Sequence, residues 1–198
     1  MNDRPETTVP AREILDFWFD KADSPEFGKS QKKWFEKNLD FDSEVRSRFL
    51  SQYELAVSGQ LDAWQDSAQE CLALIIILDQ FSRNMFRGTP QAFAADDRAL
   101  IAAEKAVKNQ FDRELLPVQR WFIYLPFEHS ENLAHQQKSV ELFSQLGSDS
   151  DSQMVIDYAK RHLEVIARFG RFPHRNQILG RETTLEEAEF LKQPGSGF

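Results

Sequence analysis

Apolar side chains recur every three or four positions along almost the whole chain, which is the period of an amphipathic helix. The first stripe, within residues 9–20, carries Ile14, Leu15, Trp18 and Phe19. No alternating run is long enough to predict a β-strand. The pattern therefore predicts an all-α protein of eight or nine helices, joined by short loops into antiparallel helical hairpins.

Capping residues and prolines give the expected bounds of these helices. Asp42 is expected to cap the second long helix, and Gly59 to end it. Pro126 is expected to stop or kink a helix, because it lacks the N–H group and clashes with the preceding turn. The long helices are predicted over residues 42–57, 68–86, 90–108, 117–125, 131–146 and 153–169, with a short one from residue 183.

Two segments match the capping box, in which a Ser or Thr and a Glu three residues later satisfy each other's backbone groups. They are Ser67 with Glu70 and Thr183 with Glu186. The first pair precedes the most apolar helix of the chain, which is expected to be central and covered on every side. Cys71 lies in that helix, and an inert buried thiol is the expected state of such a cysteine.

The length of 198 residues suits a single domain, residues 1–198, and 41% hydrophobic residues exclude a disordered chain. The longest apolar run, 71–78, has eight residues. A membrane-spanning helix needs roughly 20, so no membrane association is expected. No secretory signal begins the chain, and a cytoplasmic location is therefore expected.

The formal net charge is −8, from 24 basic and 32 acidic residues. This average argues against nucleic acids and anionic membranes as partners. Residues 160–181 nevertheless hold six Lys or Arg and one Glu, a local charge of +5, so the remainder carries −13. A concentrated cationic segment in an acidic chain is a candidate site for a small anion, since guanidinium groups match carboxylate and phosphate oxygens.

The arginines of this segment have two interpretations. Arg168, Arg171 and Arg175 lie around a break at Gly170, so they project from a turn and are candidates for anion binding. They are equally suited to pair with the surplus acids of the chain. For Arg181, pairing with an acid is the favoured interpretation.

A second polar cluster follows the apolar helix. Gln80, Arg83, Asn84 and Arg87 are spaced to form one stripe if the helix continues, and Asp79 can pair with Arg83. Buried polar groups are costly unless they are satisfied. The helix therefore either emerges into solvent there, or its polar stripe lines a pocket.

A third cluster follows Pro126. Glu128 and His129 are expected on a non-helical bend, where a Glu/His pair suits general acid–base work. Glu131 and His135 share a helix face, but the favoured interpretation is structural, with Glu131 at the helix start and His135 in solvent. The chain has no zinc motif, so neither a metal nor a cofactor is expected.

Three segments, 78–90, 124–131 and 168–181, resemble a bacterial family known as domain of unknown function 924. The resemblance spans nearly the whole chain, since three shorter segments are similar too, at residues 16–19, 34–35 and 190–195. Ser82 stands where the family pattern has proline. The resemblance implies a tetratricopeptide-like right-handed superhelix of helical hairpins, and it implies no established activity.

The leading hypothesis is that polar residues of the three segments converge and bind a small anionic metabolite, through a carboxylate or phosphate, or a peptide C-terminus. The arginines expected to clamp the anion are Arg83, Arg87, Arg171 and Arg175. The amides expected to orient it are Gln80, Asn84 and Asn176. Further candidates for the same site are Glu131, Arg168 and His174.

Two alternatives remain open. In the first alternative the protein is an enzyme, a metal-independent hydrolase or transferase. Glu128 or His129 would be its general acid–base, and the arginines would clamp the substrate. In the second it is a structural or protein-interaction module, in which the arginines act as internal latches.

Overall fold

The computed structural model describes residues 9–197, and these residues contain helices and no β-strand. The predicted all-α class is confirmed. Residues 1–8, where the sequence shows no secretory signal, lie outside the described part. The chain divides into two compact units, an amino-terminal unit (residues 1–87 and 91–126) and a carboxy-terminal unit (88–90 and 127–198). The single domain and the tetratricopeptide-like superhelix stay predictions.

The amino-terminal unit contains the first five helices and most of the sixth. The helices are α1 (Ala11–Phe19), α2 (Leu39–Val57), α3 (Ala68–Ile75), α4 (Ser82–Met85), α5 (Asp96–Lys108) and α6 (Pro117–His129). A π-helical segment, Ile76–Phe81, joins α3 to α4 without a break. Short 3₁₀ turns are formed by Lys32–Trp34, Asp62–Asp66, Pro90–Phe93 and Phe111–Glu114.

The core of this unit is aromatic. The ring of Trp18 meets those of Phe81 and Phe122 edge to face, with centroids 5.6 Å apart in both pairs. Every residue from Cys71 to Leu78 is buried, which confirms the prediction of a central, covered helix. Burial raises the pKa of the Cys71 thiol to about 12. The thiol therefore stays protonated and unreactive, as expected, because the reactive form of cysteine is the thiolate.

The helix starts differ in detail from the sequence predictions. Asn38, not Asp42, caps α2, because its side-chain oxygen accepts from the backbone N–H groups of the first turn. Asp42 lies inside that turn, and its carboxylate accepts hydrogen bonds from Asn84 and Arg87 instead. The predicted end of α2 is confirmed, since Gly59 follows the last turn with a φ of +84°. Left-handed backbone of this kind favours glycine.

The predicted capping box at Ser67 is wrong. The Ser67 hydroxyl donates to the Glu70 carboxylate at 3.1 Å, and it caps no backbone group. The predicted helix over 90–108 is shorter, because a 3₁₀ turn, Pro90–Phe93, precedes α5. The buried stripe of α5 consists of small side chains, at Ala99, Ala102, Ala103 and Ala106.

The carboxy-terminal unit contains α7 (Leu133–Phe143), α8 (Ser150–Phe169), the 3₁₀ turn Pro173–Arg175 and α9 (Leu185–Leu191). Helix α7 packs against α8. Gly170 ends α8 in the left-handed conformation, with a φ of +68°, as its position predicts. Tyr158 is 46% exposed, because Val155 and Ala159 fill the inward face of that turn.

Two further boundaries correct the sequence predictions. Helix α7 begins at Leu133, two residues later than predicted, and Asn132 caps it, since its side-chain oxygen accepts from the N–H of Ala134. The capping box before α9 is Thr184 with Glu187, one residue later than expected. The side chain of Glu187 thereby faces inward and is buried.

Helix α6 does not stop at Pro126. It continues to His129, so Glu128 and His129 lie in its last turn rather than on a bend. Proline has a φ compatible with a helix, and it costs one backbone hydrogen bond and local crowding rather than the helix itself. The predicted stop at Pro126 and the predicted non-helical bend after it are therefore wrong, and the two candidate acid–base residues have a helical backbone.

Candidate functional site

In the amino-terminal unit, Asp42 holds two of the candidate anion-binding residues. Its carboxylate accepts from Arg87 Nε at 2.7 Å and from Arg87 Nη2 at 2.8 Å. Asn84 Nδ2 donates to the same carboxylate at 2.7 Å. Burial alone raises the pKa of Asp42, but these hydrogen bonds and the Arg87 charge hold it below its ordinary value. Arg87 and Asn84 are thus engaged with an internal anion.

Arg83 is held by two carboxylates. Its guanidinium forms a two-point pair with Asp96, at 3.0 and 3.1 Å, and Nη1 lies 3.2 Å from Asp79 Oδ1. The predicted Asp79–Arg83 pair is confirmed. Gln80 Nε2 also donates to Asp79, at 2.6 Å. Desolvation lowers the pKa of Arg83, and the two carboxylates more than offset this, so the group stays charged.

In the carboxy-terminal unit, Arg171 pairs with the buried Glu187. Arg171 Nε and Nη2 lie 2.6 and 2.9 Å from the two oxygens of that carboxylate. Asn176 Nδ2 donates to Glu187 Oε2 at 3.2 Å. Hydrogen bonding by Arg171, together with the Thr184 backbone N–H, lowers the pKa of Glu187 to about 2. Arg171 and Asn176 therefore hold α9 against the preceding loop.

Glu131 closes the same loop from its other side. Arg181 Nη1 and Nη2 lie 2.7 and 3.0 Å from the Glu131 oxygens, and the N–H of Phe172 donates to Oε1 at 2.8 Å. Arg181 also donates to the carbonyl of Phe172 at 3.0 Å and to Asn176 Oδ1 at 3.0 Å. The pairing favoured for Arg181 is confirmed. The predicted role of Glu131 at the start of α7 is wrong, because Arg181 and the N–H of Phe172 occupy both of its oxygens and Asn132 caps the helix.

The Phe172 cluster is formed by Phe172 with His162, His174 and Arg175 around its ring. The guanidinium carbon of Arg175 lies 4.5 Å from the ring centroid. The rings of His162 and His174 lie 5.5 and 5.6 Å from it. Phe172 and Arg175 are buried, and His174 is half-buried. Three nitrogen-bearing groups from two elements thus surround one apolar ring.

Burial and neighbouring groups shift the pKa values of the two imidazoles of this cluster. Burial and the Arg175 charge lower the pKa of His174 to about 4. Burial, with smaller contributions from His129, Arg175 and His174, lowers the pKa of His162 to about 3. Both imidazoles are therefore neutral near pH 7.

A buried acid lies beside His162. Glu128 Oε1 is 3.3 Å from His162 Nδ1, and both side chains are about 5% exposed. The same Nδ1 is 2.9 Å from the carbonyl of Tyr158. A carbonyl only accepts, so the neutral His162 carries its proton on Nδ1 and leaves Nε2 as an acceptor. His162 is therefore a hydrogen-bonded core histidine that lies next to the candidate acid Glu128.

The remaining candidates lie apart from this cluster or at its edge. Arg168 forms an exposed pair with Glu186 at 2.8 Å. His129 is half-buried at the end of α6. His135, which was expected in solvent, is half-buried, and its Nδ1 lies 2.9 Å from the Ser130 hydroxyl.

Three of the carboxylates that hold the arginines were not predicted as their partners from the sequence. Asp42 was assigned to a helix cap, while Asp96 and Glu187 were not singled out. A usable signal existed for Glu187, because Thr184-x-x-Glu187 matches the capping box as well as Thr183-x-x-Glu186 does. Nothing local marks Asp42 as the partner of an arginine 45 residues away.

The described residues, 9–197, contain no group of three or more His, Cys, Asp or Glu that is arranged to hold a metal ion. Within the same range, no helix combines the length and the apolar character that crossing a membrane requires.

Comparison with known proteins identifies the family. A sequence profile described as bacterial protein of unknown function (DUF924) matches residues 14–195. The chain belongs to this family. It is similar to the solved structure of a protein of unknown function, ATU0120, from Agrobacterium tumefaciens, with 40% sequence identity and a TM-score of 0.81. The match covers 92% of this chain and 96% of that one. Comparison with curated proteins gave no match.

Proposed function

We propose that the protein binds a small anion, through a carboxylate or phosphate group, at the Phe172 cluster of the carboxy-terminal unit. The observation that carries the proposal is the gathering of Arg175, His174 and His162 around Phe172, at 4.5 to 5.6 Å from its ring. In this site Arg175 supplies the permanent charge, and His174 donates a hydrogen bond from the half-buried side.

The electrostatics of the cluster support an anion as its ligand. Besides burial, Arg175, His129 and Arg181 lower the pKa of His174, whereas the charge of Glu131 raises it. A bound anion reduces the repulsion among these groups, so it favours the protonated state of His174. A charge-assisted hydrogen bond from the guanidinium of Arg175 is stronger than a neutral one.

The proposal is narrower than the hypothesis drawn from the sequence. Arg83, Arg87 and Arg171 each have a carboxylate partner within 3.2 Å. We propose that these ion pairs act as internal latches that stabilise the fold and do not bind the ligand. Freeing any of them for a ligand requires leaving a buried or half-buried carboxylate without its cation, which is costly. Arg168 is assigned to its exposed pair with Glu186.

A binding titration with matched variants tests the proposal. Inorganic phosphate and acetate are titrated at constant ionic strength into the protein in a calorimeter. We expect saturable binding of at least one anion to the wild type, and about tenfold weaker binding to Arg175→Gln, which loses a charged hydrogen bond. Arg161→Gln removes the same charge from an exposed position of the same unit and is the control. Equal binding to all three proteins contradicts the proposal.

The buried pair of Glu128 and His162 favours a second candidate function, acid–base catalysis on the bound anion. A buried carboxyl beside a neutral imidazole is suited to moving a proton. Glu128→Gln separates the two functions, because it leaves binding intact and abolishes any turnover of phosphate or carboxylate esters. Retained turnover in this variant removes Glu128 from the mechanism.

The proposal includes a cytoplasmic location and excludes nucleic acid as a partner. A cytoplasmic location fits a chain with one cysteine, which is buried. The net charge of −8 disfavours nucleic acid as a partner.

A further inference from the structure

The ion pair of Arg181 with Glu131 is one of the contacts that fix the loop carrying His174 and Arg175 to the rest of its unit. Arg181 and Glu131 are 50 residues apart in sequence and form a two-point contact at 2.7 and 3.0 Å. The same pair contacts both backbone polar groups of Phe172, since Glu131 accepts from its N–H and Arg181 donates to its carbonyl. The backbone of the residue at the centre of the cluster is therefore held from both sides.

Backbone contacts of Phe172 extend to the ligand-binding side chains. The Arg175 N–H donates to the carbonyl of Phe172 at 3.1 Å, so the turn that presents Arg175 is built on Phe172 itself. Arg181 Nε reaches Asn176 Oδ1 at 3.0 Å, at the end of that turn. A displacement of Phe172 therefore displaces the guanidinium and imidazole that surround its ring.

We infer that Glu131 is a positioning residue of the anion site, which acts through Phe172 and Arg181 and does not itself touch the anion. This inference rests on the proposed function. It reassigns Glu131, because a carboxylate directed at an anionic ligand repels it, whereas one engaged with Arg181 and a backbone N–H fixes the loop.

Charge and positioning predict opposite effects for Glu131→Gln, which makes this variant informative. The Glu131 charge acts on His174, where it partly offsets the effects of burial and Arg175 on the pKa. If the charge alone mattered, its removal would make the site more positive and strengthen anion binding. If positioning matters, binding weakens despite the more favourable charge. We expect phosphate binding about tenfold weaker, the lower end of the effect of removing a residue that supports an ion's direct ligands.

Two further variants complete the experiment. Glu186→Gln removes the same charge from the exposed pair with Arg168, and we expect unchanged phosphate binding. Arg181→Lys keeps the charge and loses the two-point geometry. Positioning therefore predicts weaker phosphate binding in this variant, and charge alone predicts unchanged phosphate binding. This variant also decides the question if Glu131→Gln does not fold. Phosphate binding to Glu131→Gln and Arg181→Lys at wild-type strength or tighter overturns the inference.

Hydrogen exchange of the Phe172 amide distinguishes failure of this inference from failure of the proposed function. We expect exchange roughly tenfold faster in Glu131→Gln than in the wild type, through local opening of the loop. If the wild type binds neither phosphate nor acetate, the proposed function fails, and exchange alone decides whether Glu131 fixes the loop. Unchanged exchange then overturns the positioning role.

Discussion

Arg171 and Glu187 form the tightest two-point ion pair of the carboxy-terminal unit among the described residues, with nitrogen–oxygen distances of 2.6 and 2.9 Å. Glu187 is 2% exposed, and its second oxygen also accepts from the backbone N–H of Thr184 at 2.8 Å. One carboxylate thereby joins the loop before α9 to the capping box that begins α9.

The first prediction concerns the stability that Glu187 supplies. Glu187→Gln lowers the free energy of unfolding at pH 7 by about 2 kcal/mol, because it removes charged hydrogen bonds from a buried group. Urea denaturation measures the change. Glu186→Gln, in the exposed pair with Arg168, is the matched control and costs less than about 1 kcal/mol. Equal losses in the two variants would show that burial of Glu187 has no effect.

The same pair predicts a pH dependence. The pKa of Glu187 is lowered from 4.5 to about 2 in the folded state. A depressed carboxyl pKa stabilises the fold above pH 4.5, and this contribution is lost as the pH falls toward 2. The difference in unfolding free energy between wild type and Glu187→Gln should therefore shrink as the pH falls from 5 to 3. A constant difference over that interval contradicts the assignment.

The second prediction tests whether Arg83 is a latch. Arg83→Met leaves the buried Asp79 without a cation, so we expect a loss of about 3 kcal/mol in the free energy of unfolding. Arg98→Met, which breaks an exposed pair with Asp62, should cost less than about 1 kcal/mol. Phosphate binding should be the same in both variants. A selective loss of binding in Arg83→Met would return Arg83 to the anion site.

The third prediction concerns the neutral histidines. The pKa of His162 is about 3 and that of His174 about 4, below the ordinary value of 6.5. Between pH 6.5 and 4 the unfolded chain binds protons that the folded protein does not, so stability falls as the pH falls. Each histidine contributes up to about 1.4 kcal/mol per pH unit in that interval. Unfolding in urea at pH 7, 6 and 5 gives the slope.

Substitution of each histidine assigns that slope. His162→Gln should reduce the slope by about half, and the double variant His162→Gln/His174→Gln should reduce the slope further. His135→Gln, at a histidine outside the Phe172 cluster, controls for the loss of an imidazole as such. An unaltered slope in His162→Gln would mean that His162 is not kept neutral by burial.

Most of the fold could be predicted from local pattern. The apolar period and the glycines at 59 and 170 give correct helices and correct ends, because they depend on residues within one or two turns. The stop at Pro126 was mispredicted, because a helix can continue through proline at the cost of one backbone hydrogen bond. The second capping box was placed one residue too early, since the chain offers near-equal local alternatives. Thr183 and Thr184 both precede a glutamate at the right spacing, and tertiary packing selects the one that buries Glu187.

The candidate site could be predicted only in part. The Asp79–Arg83 pair is four residues apart on one helix and was predicted. The pairs of Asp42 with Arg87 and of Glu131 with Arg181 span 45 and 50 residues. A single sequence contains no local signal for such contacts, so the arginines looked more available to a ligand than they are.

The central claim is that the Phe172 cluster binds an anion, and the pKa of His174 tests it most directly. The Cε1–H signal of His174 is followed by NMR from pH 8 to pH 3, in chloride buffer and in inorganic phosphate at equal ionic strength. We expect a pKa near 4 without phosphate and a rise of about one unit with it, because the bound anion favours the imidazolium. Arg175→Gln should abolish the rise, and Arg161→Gln should keep it. The claim would be contradicted if the pKa of His174 in the wild type stayed unchanged up to the highest phosphate concentration that is soluble at this ionic strength.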